Sequence, residues 1–391
     1  MLLVLGALVS GLADRSFLSL TAGFVLAGLL LGDAGFGALD FDPTSEFVQG
    51  LAVVALVLIL FRDGLLVEEE ALKTEWHLPL RNLVLAMPLT AVLVALATKV
   101  VTDLSWTECF LLGALLSPTD PVLSSVVVTH PRVPRIIRHS LNLESGLNDG
   151  LALPAVLAFT AALAGDEDFV WWQFVLQDVL VGVAAGLAVA FLASRLMPRD
   201  TALGHPISPH QKSLYAVGVA FVAYGAPVLL PAGNGFVATF VAAIALGIWR
   251  PDIRECFEER SEDLVEVVKL GVFLVFGAIL TFGDLFDDGW AAVAIVAFTL
   301  LAARPIAVFT ALAGTRQVDT VEKAFMAWFG PKGVATMTFL LLVLGSDVAE
   351  GERIANIAAL AVLTSVIAHG VTDQPLSEWI GRYAARRSGS T

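Results

Sequence analysis

The stretch Glu144-Ser145-Gly146-Leu147-Asn148-Asp149-Gly150 puts two carboxylates, a hydroxyl and an amide at the head of an apolar run. Residues four apart share a helix face, so Glu144 lies under Asn148 and Ser145 lies under Asp149. Such oxygens suit a hard cation, and a carboxylate among them can take up a proton instead. Asp149 is the candidate for holding the two in turn. A second cluster, Ser117-Pro118-Thr119-Asp120-Pro121, interrupts another apolar run. Its two prolines remove backbone donors and break the helix. In a bilayer, broken helices are tolerated only where the freed backbone lines a protein-enclosed cavity. Two further fragments carry buried cations: Ala303-Arg304-Pro305 and Phe329-Gly330-Pro331-Lys332-Gly333. Arginine stays protonated when buried and needs an anion. A cation site whose own ligand was neutralised by arginine would defeat itself. Arg304 is therefore assigned to Glu144, which leaves Asp149 free.

These residues must be positioned by membrane helices. Of the 391 residues, 57% are hydrophobic and only 15% charged, where a soluble domain carries about a quarter charged residues. The apolar residues arrive in blocks of roughly 20, enough to cross ~30 Å of hydrocarbon. Spans are read at about 1–12, 16–32, 46–62, 79–101, 104–127, 143–164, 170–197, 213–230, 234–249, 266–281, 289–313, 322–344 and 352–371. The first could pass for a signal peptide, but no basic region precedes it and no cleavage site follows, so it is read as a helix. The fold class is all-α: a polytopic membrane protein of about 13 transmembrane helices, with a short cytoplasmic tail over 372–391.

Taken alternately, the connections sort the basic residues. Of 23, 18 fall on one face and Lys99 and Arg353 on the other. By the positive-inside bias this puts the N-terminus outside and the C-terminus in the cytoplasm. Of the three basic residues inside spans, Lys269 is placed near a helix end where it could snorkel. Arg304 and Lys332 are too deep to do so. The interrupted spans are the fifth and the twelfth, so they cross in opposite directions. Paired interruptions in inverted halves point to a transporter site near the midplane. Lys332 would offset the negative end of one half-helix, with opposing backbone groups serving another. The net charge of −14 excludes a nucleic-acid binder of the basic-patch kind, and two cysteines form no metal cluster. An intramembrane protease lacks its motifs, since Leu143 stands where a serine protease wants glycine and neither Asp120 nor Asp149 sits in Gly-x-Gly-Asp. A cation channel would need a continuous pore rather than one occluded carboxylate. His77, His130, His139 and His369 are read as incidental.

The stretches S-P-T-D-P at 117–121, E-S-G-L-N-D-G at 144–150, R-P at 304–305 and G-P-K-G-V-A at 330–335 resemble sodium/proton antiporters of cation/proton antiporter family 1, the NhaP/NHE branch. The resemblance spans essentially the whole chain. It implies a homodimer in the plasma (cell inner) membrane that needs no cofactor. It also implies a moving core of helices over about 79–164 and 289–371, beside a dimerisation scaffold over about 1–62 and 170–281. Carried over, Asp149 is the exchanging carboxylate, with Ser145, Asp120 and the Thr119 backbone as further ligands of a transported Na+. Asn148 stands where electrogenic relatives have a second aspartate, which implies electroneutral Na+/H+ exchange; K+/H+ exchange is the alternative. Glu144 and Arg304 resemble the structural ion pair, and Pro118, Pro121, Gly330, Pro331, Lys332 and Gly333 the helix breaks. Lys332 stands where arginine is usual. Asp63 falls where some relatives place an acid near the ion path, but reads better as a solvated loop charge.

Overall fold

The computed structural model describes residues 20–67, 76–120, 125–165, 170–198, 207–230 and 232–388. The first expected span, Pro121 and the acidic connection at 166–168 lie outside the described residues. Among the described residues there is no strand. The helices are α1 (Leu20–Leu31), α2 (Glu46–Leu65), α3 (His77–Val101), α4 (Trp106–Leu115), α5 (Ser125–Thr129) and α6 (Arg135–Leu163). They continue as α7 (Trp171–Leu196), α8 (Pro209–Gly225), α9 (Gly235–Trp249) and α10 (Pro251–Ile279). The last are α11 (Trp290–Ala311), α12 (Thr320–Trp328), α13 (Val334–Leu344) and α14 (Gly351–Ser388). Every expected span from the second onward thus has its helical counterpart, and six of these helices are long and apolar enough to cross a membrane.

The starts follow local chemistry. Ser105 and Asp319 open α4 and α12 with capping boxes closed by Glu108 and Glu322, satisfying amides that have no partner within the helix. A wide π turn at Thr299–Ala303 in α11 lies just before Pro305, which has no N–H to give the preceding turn. Two helices run past their apolar patterns. α10 begins at Pro251 through a segment rich in Glu and Arg, so Lys269 sits about five turns in rather than at an end. α14 continues to Ser388, beyond the expected limit at 371, because its polar extension has something to dock on. Ile380 is buried, while Tyr383 and Arg387 both reach Asp319 at the head of α12, each at 2.8 Å.

Packing divides into neighbourhoods. α1 lies along α10, α7 against α9, and α2 is flanked by α9, α10 and α13; α3 packs on α4 and α11, and α14 on α11 and α13. Lipid supplies no hydrophobic drive between helices, so small residues must let them close up. A Cβ at Gly28 would strike the Leu274 carbonyl, and one at Gly277 would strike the Val25 carbonyl. At the basic face, Arg250 binds Asp252 and the carbonyls of Ser194 and Met197, tying α7 to the α9–α10 junction. The Arg250 guanidinium on its carboxylate, with Lys212 at 3.1 Å, holds the pKa of Asp252 down at about 2.

Gly28→Leu should push α1 off α10 and destabilise the protein by about 1–3 kcal/mol, the usual cost of overpacking. Gly23→Leu, on the same helix with nothing within 4 Å of its Cβ position, should leave the melting temperature of the purified protein unchanged.

Candidate functional site

Two helix breaks meet through direct hydrogen bonds. One lies between α4 and α5 and holds Ser117, Pro118, Thr119 and Asp120; the other, between α12 and α13, holds Phe329 to Gly333. The breaks are laced directly to each other. The Asp120 amide donates to the Pro331 carbonyl at 2.8 Å, and the Val334 amide donates to Asp120 Oδ2 at 2.8 Å. Lys332 Nζ donates to the carbonyls of Pro118 at 3.0 Å and Ser117 at 3.4 Å. A carboxylate from one break therefore meets the positive start of α13, while an ammonium from the other meets the negative end of α4. The start of α13, expected to be served by backbone groups, has a side chain instead. The Asp120 carboxyl occupies the space a Cβ at Gly333 would fill, and the Arg304 guanidinium does the same at Gly330. Both glycines are clearance for a charged neighbour.

α6 crosses beside the breaks. Asn148 Nδ2 donates to the Thr119 carbonyl and to Thr119 Oγ1, each at 2.8 Å, which fixes α6 to the first break. Asn148 Oδ1 is buried and has no partner among the described residues. Ser145 Oγ donates back to the Leu141 carbonyl at 2.8 Å, so its lone pairs remain open. One turn below, Glu144 Oε1 accepts from Arg304 Nη2 at 2.9 Å, and Glu144 Oε2 accepts from Asn82 Nδ2 at 2.8 Å. Arg304 also points at the carbonyls of Phe329 and Met326, at 3.4 and 3.5 Å, at the end of α12.

Asp149 is different. It is 4% exposed, and its carboxylate makes no hydrogen bond among the described residues. Its electrostatic neighbours are Asp63, Asp120, Lys269 and Lys332. Two of those four were misread from the sequence. Asp63, taken for a solvated loop charge, lies within α2, is 7% exposed and sits 3.5 Å from Arg62. Its backbone carbonyl abuts Gly146 on α6, one turn from Asp149. Lys269, taken to snorkel, is 2% exposed and faces Asp63 and Asp120. Asn82, the second holder of Glu144, drew no notice. The signal for all three was a polar residue inside or beside an apolar run; what the sequence lacked was the helix face each would occupy.

Removing Arg304 alone should strand Glu144 as an uncompensated buried charge and cost about 3–5 kcal/mol. The double change Arg304→Leu with Glu144→Leu should recover most of that loss in thermal unfolding. A single Arg304→Leu variant as stable as the native protein would break the pairing argument.

Residues 1–379 match the family model described as sodium/hydrogen exchanger, transmembrane. The chain is 26% identical over 376 residues to the K(+)/H(+) antiporter NhaP of Alkalimonas amylolytica, covering 94% of this chain and 63% of that protein. It is 25% identical over 360 residues to the Na(+)/H(+) antiporter NhaG of Bacillus atrophaeus, covering 87% and 67%. The chain spans less than two thirds of the length of the K(+)/H(+) relatives it matches. In fold it is similar to the sodium proton antiporter MjNhaP1 from Methanocaldococcus jannaschii, with a TM-score of 0.78, 19% identity and 94% and 96% of the two chains covered. The protein is an all-α, multi-pass membrane protein, and it belongs to the sodium/hydrogen exchanger family.

Proposed function

We propose that the protein exchanges one monovalent cation for one proton by alternating access, with Asp149 as the group that carries either. One observation supports this above the others: among the described residues the buried Asp149 carboxylate has no hydrogen bond, and it has Asp120 and Lys332 of the two interlaced helix breaks as neighbours. An isolated carboxylate cannot stay ionised in an apolar interior. It must be protonated or joined by a cation. The oxygens of Ser145 and Asp120, the Thr119 backbone and the open Asn148 Oδ1 are the ligands at hand. The family is one of transporters, so the exchange involves no covalent chemistry, and no cofactor enters the cycle.

One-for-one stoichiometry follows from how the other carboxylates are engaged. Glu144 is committed to Arg304 and Asn82, Asp120 to the start of α13, and Asp63 to Arg62 at 3.5 Å. Position 148 is an amide fixed to Thr119. That leaves one exchanging group and no net charge moved per cycle. In this reading α3–α6 and α11–α14 move as the core against a scaffold of α1, α2 and α7–α10. The protein works as a homodimer in the plasma membrane, its basic face cytoplasmic. Na+ is the first reading for the cation. K+ is the second, because several of the similar relatives are named K(+)/H(+) antiporters.

In proteoliposomes, Na+, Li+ or K+ added against an imposed pH gradient should dequench a pH dye with native protein, with no transport current. Asp149→Asn should abolish the signal while eluting as a folded protein, and adding Asn148→Asp should not restore it. Persistent pH-coupled cation flux in Asp149→Asn would sink the proposal.

A further inference from the structure

Lys269 takes no part in the exchange cycle set out above, yet it is a costly residue to hold. It stands on α10 at 2% exposure. Its ammonium makes no hydrogen bond and no ion pair among the described residues. A buried charge without a direct partner is expensive, and at membrane depth such a group is a candidate for the ion path. The charges that face it come from several elements: Asp63 and Arg62 from α2, Asp120 from the first break, and half-buried Glu266 one turn back on α10. Asp149 on α6 has Lys269 among its own electrostatic neighbours.

The other charges around Asp149 are engaged. Arg62 lies 3.5 Å from Asp63 and 3.3 Å from Glu262. Asp120 accepts from the Val334 amide, and Lys332 donates to the carbonyls of Pro118 and Ser117. Asp149 and Lys269 are the carboxylate and the ammonium of this group with no hydrogen bond among the described residues. Their mounting differs. α6 is counted with the moving core and α10 with the scaffold, where α10 packs on α2 and against α13 of the core. Lys269 also stands toward the basic side of the membrane, since Arg254 and Arg260 precede it on the same helix. An ammonium near Asp149 repels any second cation brought to that carboxylate, and the repulsion fades with separation. It therefore belongs to one position of the core.

We propose that Lys269 sets the cation affinity of Asp149 on the basic side of the membrane. It is a stationary ammonium that opposes loading and favours release there, and its influence ends when the core moves away. Lys269 carries nothing across, so one-for-one exchange is kept and only the two affinities become unequal. The inequality between faces rests on the exchange reading above; the charge effect in the position the structure shows does not.

The test compares full-length native protein with Lys269→Met and the conservative Lys269→Arg. Na+ binding at alkaline pH, read from the rise in melting temperature of purified protein with Na+, should tighten about tenfold in Lys269→Met, the effect of losing one nearby like charge. Lys269→Arg should bind as the native protein does. In inside-out and right-side-out membrane vesicles, the half-saturating Na+ for exchange should fall by a similar factor at the basic face and stay unchanged at the other. Binding that is unchanged or weaker in Lys269→Met, as loss of a merely structural group would give, overturns the proposal; so does an equal shift at both faces. The native protein decides even where the variant fails to fold: its half-saturating Na+ should be higher at the basic face, and equal values overturn the proposal. Tighter binding in Lys269→Met, in a protein whose native form exchanges no cation for protons, would keep the charge effect and sink the exchange reading instead.

Discussion

Backbone groups set free inside hydrocarbon must find partners within the protein, and the whole centre of this molecule is arranged around that requirement. In the sequence, four prolines lie at or beside the helix interruptions and Arg304, at 118, 121, 305 and 331. The structure shows how the two helix interruptions meet the cost together. Each break lends the other the charge its helix end calls for, Asp120 to α13 and Lys332 to α4. Gly330 and Gly333 keep the distance short enough for this to work. A continuous helix would have needed none of it.

Much of this could be read in advance, for a physical reason. Charges inside apolar runs are so costly that their presence alone marks them as candidates for a site, and arginine cannot be neutralised by deprotonation. Glu144, Asp149 and Arg304 therefore announced themselves, and so did the logic of keeping the arginine off Asp149. The prolines of the breaks were equally loud, since no other residue removes a donor. What stayed hidden was direction. Asp63 and Lys269 lie near the ends of their apolar patterns, where the same letters describe a solvated charge and a buried one. Only the amphipathic start of α10, helical from Pro251, carries Lys269 into the interior.

The surroundings of Asp149 are drawn from several helices. Asp120 and Lys332 belong to the breaks, whereas Asp63 and Lys269 stand on α2 and α10. Half of the electrostatic environment is thus mounted on one set of helices and half on another. The close packing of α1 on α10 through Gly28 and Gly277 gives the second set a rigid backing. A relative shift between the two sets would alter the field at the carboxylate without any change in its own helix.

The reciprocal lacing of the breaks also has a consequence for local stability. The amides of Asp120 and Val334 are both held by groups on the opposite break. Neither can be released to solvent while its counterpart stays in place. Segments tied in this way open as one cooperative unit rather than fraying singly. The molecule has built its most irregular backbone, far from any regular ladder, into something that yields all at once or not at all.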